Sequence, residues 1–468
     1  MEGKFGQLVL LAPIAVAAGA FLVLKWRFTV YILLMAVPYV GWMSIKLNPA
    51  KWPLVFKDFA FVIPAYIGFY LIDSKQPKLD AIPNFVSRWI LGLIAIVLFQ
   101  CLNPLVPNSF VFAVGAKIWL LYLPLIYLGS AMLRTPYDLR NILRVITVFG
   151  WFPSIFGIYL WYQCGANGYE ETMIYYYGPM AAAVTQGFES FYFGGGRTFR
   201  IPSTFTYVVQ YFNFTISMIA PAYILQYYDN SRLWRIVGFL SFSLAIFASL
   251  VSGARAAYMF TPLLLMFIYM LHRGVSGWVR GGFILASLGI LAISIAGIDL
   301  EALFDTMSGL TSHYGQNIAV GGLQEAFIRH PLGYGTGMNT GAARHVVPDS
   351  HALSGIENYY AKALIELGLV GVVIVAGLFI SVLVTGYRNH INLKTPYLRV
   401  ASSGLLAYLA MMSIQSFKGW PLDLDPANIY FWLFIGMMLK LPNLETTLID
   451  NESSQSDDGS PLDRIEST

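Results

Sequence analysis

Charge is what this sequence has least of. Lysine, arginine, aspartate and glutamate make up 12% of its 468 residues, where soluble domains carry about 25%. There are two cysteines and six histidines. Cys101 and Cys164 fit neither a disulfide framework nor a C-x-x-C metal site. No H-x-x-H or H-E-x-x-H spacing occurs, so the sequence gives no zinc motif. The formal net charge of +4 is too small to point to nucleic acid as a partner. The first apolar run lacks a small-residue cleavage site, so a removable signal peptide is not expected.

Apolar residues fill the space that charge leaves. The chain is 57% hydrophobic and 16% aromatic, with a mean hydropathy of +0.62. Length alone would suggest two or three soluble domains. However, apolar stretches of about 20 residues recur from end to end, each long enough to cross a bilayer as a helix. The expected class is all-α, a polytopic integral membrane protein of about 11–13 transmembrane helices. The spans read near 8–24, 28–43, 54–72, 87–102, 110–133, 141–162, 203–228, 234–251, 255–271, 281–298, 359–386, 398–417 and 426–441. Lys25, Trp26 and Arg27 alone separate the first two.

Basic linkers orient such a chain. RTPYDLRNILR (134–144), DNSRLWR (229–235), HRGVSGWVR (272–280) and YRNHINLKTPYLR (387–399) fall on one side if the spans alternate, which makes that side cytoplasmic. Lys46 and Lys51 fall on the other side, against this pattern. The expected organisation is an N-terminal bundle (1–162), an external loop (163–202), transmembrane helices (203–298), a large external loop (299–358), C-terminal helices (359–441) and a disordered cytoplasmic tail (442–468). Loops as long as these two are usually functional or disordered. The second holds four histidines, His313, His330, His345 and His351. The chemistry is therefore expected on the external face.

Within LVSGARAAYM (250–259), Arg255 stands between two apolar runs with no acid within ten residues. It is either an interfacial anchor that snorkels to water or a ligand-binding charge, since an arginine held deeper costs roughly 3 kcal/mol and needs a partner. Its planar fork suits a phosphate or pyrophosphate, and Gly253, Ala254, Ala256 and Ala257 leave room beside it. Arg197 and Arg200 precede another span, with Pro202-Ser203-Thr204 as the expected helix start whose free N–H groups favour an anion. A basic collar at the membrane edge explains the same pair. In GLQEAFIRHPLGYGTGMN (322–339) a short helix is expected, with Leu323, Ala326 and Phe327 on the membrane surface and Glu325 and Arg329 facing water. Glu357 is either a favourable acid in the first turn of a helix or a general base. Lys362 and Glu366 are expected to pair with each other one turn apart. Asp423 and Asp425 form D-x-D, which suits a divalent cation with a diphosphate. Asp425-Pro426 also reads as an N-cap followed by proline at the first helical position.

Four stretches in this order resemble the O-antigen ligase and polysaccharide polymerase family of bacterial membrane glycosyltransferases. They are R-x-x-STF (Arg200 to Phe205), SGARAAY (Ser252 to Tyr258), HPLGYGTG (His330 to Gly337) and ENYYAKALIELGLVG (Glu357 to Gly371). The likeness covers residues 200 to 375. It implies a type C glycosyltransferase-like architecture in the bacterial inner membrane, with the active site facing the periplasm. It also implies a donor glycan linked through pyrophosphate to undecaprenol, no metal and no cofactor. Arg200 and Arg255 would engage the pyrophosphate, whose departure such charge assists.

Ligases of that family typically carry a histidine before the asparagine, where this chain has Glu357-Asn358. The expectation is therefore a polymerase of exopolysaccharide, capsule or O-antigen repeats. Arg255 and Glu357 would be catalytic, and Arg197, Arg200, Arg329, Arg344, His345, His351 and Asn358 would contact substrate. Tyr175, Tyr176, Tyr177, Tyr359 and Tyr360 are candidates to stack on sugar rings, although interfacial aromatic belts explain many of them. Expected partners are membrane lipid and, in the same pathway, a flippase and a chain-length regulator. The rival readings are a ligase to a lipid acceptor and a transporter of lipid-linked sugar or a small anion. A transporter would predict internal repeats, and no clear repeat is seen.

Overall fold

The computed structural model describes residues 16–47, 52–73, 82–181, 190–193, 196–274, 321–329, 331–340 and 357–457, with a few isolated positions between 276 and 308. These segments are helical apart from one hairpin and their connections, as an all-α membrane protein requires, because a helix satisfies every backbone group within itself. Helices α1 (Val16–Leu24) and α2 (Trp26–Ala36) are bent by 105° at Lys25. The first two expected spans therefore form a broken pair. After α3 (Val40–Lys46) comes α4 (Val55–Ile72), which takes π turns at Asp58–Val62 and Gly68–Ile72.

Next are α5 (Asn84–Gln100), α6 (Ser109–Met132) and α7 (Pro136–Asn167). The first expected external loop contains α8 (Tyr169–Tyr177) and an antiparallel hairpin, β1 (Ser190–Phe193) with β2 (Gly196–Phe199). Then follow α9 (Val208–Tyr228), α10 (Arg232–Val251), α11 (Ala257–Arg273), α12 (Gly321–Arg329), α13 (Tyr359–Asn392), α14 (Pro396–Gln415) and α15 (Ala427–Asp457).

Among the described residues seven helices are long and apolar enough to cross a membrane, or eight if α1 and α2 count as one. That is fewer than the 11–13 expected. Helices α5 and α11 are 17 residues each, and α15 is diluted by Asn428, Lys440 and Asn443. The span expected at 281–298 lies outside the described segments. Helix α15 also continues past residue 441 to Asp457, where the tail was expected to begin.

Helix α9 is the central pillar, with 94% of its apolar window buried. Burial among helices lets it carry Gln210, Asn213, Thr215 and Ser217, and Ser217 Oγ meets Tyr408 OH of α14 at 2.9 Å. The beginnings of α9, α11, α13 and α15 and the ends of α10 and α14 all meet at one end of the bundle, around a shared cavity. The basic linkers after α9 and α13 lie at the opposite end of those helices. There Arg144 grips Asp229 with two hydrogen bonds of 2.7 and 2.9 Å.

A candidate anion site at the helix ends

Two stretches far apart in sequence bring the arginines together. Residues 201–207 do not start a helix, as Pro202-Ser203-Thr204 was expected to. They cross the bundle as an irregular strap, and α9 begins only at Val208. The strap is fastened by side chains. Ser203 Oγ donates to Pro153 O and Thr204 Oγ1 to Pro38 O, both at 2.6 Å. Tyr177 OH donates to Ser203 O at 2.5 Å and Tyr169 OH to Arg200 O at 2.9 Å. Tyr177 is thus buried in structure rather than offered to a sugar.

The turn between α10 and α11 docks on the start of this strap. Ile201 N donates to Ser252 O at 3.0 Å. Gly253, at φ 74°, lies so close that a Cβ there would stand 1.9 Å from Phe199 O and 2.8 Å from Arg200 Cα. Only glycine combines that dihedral with that approach. Arg255 follows two residues on and is exposed. Ala254 and Ala256, on either side of it, lie on the wall of a cavity of about 530 Å³, within the roughly 300–1,000 Å³ range of small-molecule sites.

Glu357 reaches the same cavity from the start of α13 and is exposed there. It is not in the first helical turn. Asn358 is the N-cap, and its Oδ1 accepts from the N–H groups of Tyr360 (2.9 Å) and Ala361 (3.1 Å). Asn358 was expected to contact substrate; here it is fully buried and its side-chain oxygen serves the helix. Tyr359 and Tyr360 are buried too, against Trp119, Phe379 and Phe417, which removes them as sugar platforms.

Lys418, a residue the sequence did not single out, completes the group from the loop after α14. Burial lowers the pKa of its ammonium, Glu357 opposes that shift, and the positive charges of Arg200 and Arg255 add to it. Three cations and one carboxylate therefore share one electrostatic neighbourhood at the cavity, which suits a multivalent anion. A lone lysine in SFKGW after an apolar span left no pattern that marks it in advance.

The cavity floor is built by a loop that plugs a broken helix. Helix α13 is interrupted at Gly368 (φ 73°, ψ −173°), which frees carbonyls at the break. Residues 331–340 use them. Tyr334 N donates to Ile365 O (2.7 Å) and Gly335 N to Glu366 O (3.1 Å), while Thr336 Oγ1 reaches Val97 O of α5 (2.7 Å). The buried Glu366 carboxylate accepts from Gly337 N (3.0 Å), Asn339 N (3.1 Å) and Trp119 Nε1 (2.7 Å). Irregular backbone at membrane depth is tolerated where protein buries it in this way.

Lys362 accordingly does not form its salt bridge with Glu366. It pairs with Asp423 and lies over Trp119, 5.2 Å from the ring centroid. Asp425 pairs with the buried Lys57 at 2.8 Å, and Asp58 accepts from Lys57 (2.6 Å) and Tyr122 (2.7 Å) and faces Lys117 (2.7 Å). Both aspartates of D-x-D thus hold lysines rather than standing together as a cation site. Nor does Asp425 appear as an N-cap, because its carboxylate is turned to Lys57.

Arg329 is exposed and pairs with Glu325 at 3.2 Å. Helix α12 sets Ala326 and Leu323 against Ala361, Leu364 and Ile365 of α13, so these two do not face the membrane surface, whereas Phe327 and Ile328 are exposed. Arg197 sits in β2 opposite Tyr192. Arg344, His345 and His351 lie outside the described residues.

The fold and this arrangement define a multi-pass helical membrane protein with a cavity at one end of its bundle that carries charged and amide side chains. No protein-family model matches the chain, and it matches no curated protein sequence.

Proposed function

We propose that the chain is a polymerase of undecaprenyl-pyrophosphate-linked oligosaccharide repeats, acting at the outer face of a bacterial inner membrane. The observation that carries this reading is that Lys418 and Glu357 line one cavity while the charges of Arg200 and Arg255 act on Lys418 there. In the reaction, a hydroxyl oxygen of the acceptor sugar forms a bond to the anomeric carbon of the donor. The bond from that carbon to the pyrophosphate breaks, and the pyrophosphate takes the electron pair. The cations stabilise the negative charge gained by the leaving group. Glu357, at the cavity wall, accepts the proton of the attacking hydroxyl.

The test uses purified protein in nanodiscs with a lipid-pyrophosphate-linked repeat, and reads products on a gel. A ladder that is lost in a folded Arg255→Ala preparation supports a polymerase. A single transfer to a lipid acceptor, without a ladder, supports a ligase. One observation favours a transporter instead: the buried Lys57 and Asp58 with the partly exposed Lys117 and Asp425, since ionisable residues within a bundle often line transport routes. Uptake of labelled solute into proteoliposomes, with no new glycosidic bond, would replace the enzyme reading.

A further inference from the structure

The cavity has a second wall that carries no net charge. On it Asn213 of α9 and Gln415 of α14 face each other, with Gln415 Nε2 donating to Asn213 Oδ1 at 2.6 Å. Their other amide atoms, Asn213 Nδ2 and Gln415 Oε1, are buried with no hydrogen-bond partner among the described residues. Flipping both amides exchanges the bonded pair and still leaves one donor and one acceptor unsatisfied. Asn339, also on the cavity, is 3% exposed and adds a second unpartnered donor, Nδ2. Asp423 adds an acceptor, Oδ1. Each buried orphan of this kind is destabilising unless something in the cavity meets it.

We infer that this wall is a subsite for a neutral pyranose ring, the sugar residue joined to the pyrophosphate. Sugar hydroxyls both donate and accept, which matches a wall that offers both from amides and from a carboxylate whose charge Lys362 offsets. Trp420 borders the same space and adds an apolar ring face. A phosphate would satisfy the donors but not Gln415 Oε1 or Asp423 Oδ1. The two walls thus divide one ligand, with the anion at Arg200, Arg255 and Lys418 and the sugar at the amides. Loop 331–340 enters this division directly, because the Glu366 carboxylate that holds Asn339 N sets where the Asn339 side chain lies. The inference rests on the glycosyl-pyrophosphate reading of the cavity.

The experiment separates the two walls with two probes on the full chain in nanodiscs. Saturation-transfer NMR reads methyl pyranosides of glucose, galactose, N-acetylglucosamine and glucuronic acid. Phosphorus NMR line broadening reads inorganic pyrophosphate. The wild-type protein should bind at least one neutral glycoside. Asn213→Leu/Gln415→Met removes both amide partners together and so leaves no new orphan in that pair. It should weaken the glycoside about tenfold, the equivalent of one to two hydrogen bonds, and leave pyrophosphate broadening intact. Asn339→Ala serves as an independent variant of the same wall, with retained pyrophosphate broadening as its folding control. If pyrophosphate binds through Arg255 but no glycoside gives a signal, the sugar subsite falls and the proposed function stands. Glycoside binding without pyrophosphate binding overturns the proposed function and keeps the subsite. A glucuronide that outcompetes every neutral glycoside overturns the assignment of a neutral ring.

Discussion

The Glu366 carboxylate holds the backbone N–H of Gly337 at 3.0 Å, and so a fully buried acid in one helix fixes a loop that arrives from outside it. Glu366→Leu should leave the N–H groups of Gly337 and Asn339 and the Trp119 indole without their acceptor. The expected loss is about 1–3 kcal/mol for each orphaned donor. Glu366→Gln, which keeps one acceptor oxygen, should lose less. Thermal unfolding in nanodiscs ranks the three proteins, and amide exchange at Gly337 and Asn339 shows whether the loop is what loosens.

Gly253 packs the turn that carries Arg255 directly against the backbone of Phe199 and Arg200. Gly253→Ala places a Cβ against Phe199 O at a positive φ, a strain of about 1–3 kcal/mol that the turn relieves by moving off the strap. Pyrophosphate binding should therefore fall although Arg200 and Arg255 are both still present. Unchanged affinity in this variant would mean that the arginines do not act together.

Lys362 and Asp423 form a buried pair beneath the cavity. Either Lys362→Met or Asp423→Asn alone should cost about 3–5 kcal/mol, because each strands its partner's charge. The double variant should recover part of that loss. A double-mutant cycle by thermal unfolding measures the coupling, and strictly additive losses would show that the pair contributes nothing as a pair.

Lys418 gives the site a pH dependence with a definite sign. Its folded-state pKa lies below 10.5 because of burial and the two neighbouring arginines, opposed by Glu357. The unbound protein therefore holds this proton less well than the unfolded chain does. The resulting penalty is present below the folded pKa and disappears as pH rises through the unfolded value. A bound anion favours the proton, so pyrophosphate affinity should fall as pH rises past the pKa of Lys418, by at most about tenfold per unit for one linked proton. Lys418→Arg keeps its charge at high pH and should flatten the slope relative to wild type. Parallel profiles for the two proteins would remove Lys418 from the site.

The helical class and most span positions were legible because each depends on a local property, the length of an apolar run. Arg255 and Glu357 stand out in the sequence because a charge is conspicuous against an apolar background. Partner choice was not legible. Lys362 and Glu366 are correctly spaced for each other along a helix, yet each finds a partner from another segment, Asp423 in one case and the loop backbone in the other. The strap at 201–207 was misread for a similar reason. Pro-Ser-Thr favours a helix start, but the hydroxyls of Ser203 and Thr204 are taken by carbonyls of Pro153 and Pro38. The amide pair Asn213–Gln415 has no sequence signal at all, because each residue looks like an isolated polar position in an apolar helix.

The buried pairing of Lys57 with both Asp58 and Asp425 bears on how the chain is made. Asp425 is synthesised long after Lys57, and a lysine buried near the start of a membrane helix needs a partner. Asp58, the next residue, is already there when Lys57 leaves the ribosome and serves as its first counterion. Asp425 then arrives with the last helices and joins the N-terminal and C-terminal parts of the chain. Loss of Asp58 should consequently appear first as a defect in membrane integration and yield, before any effect on the finished molecule.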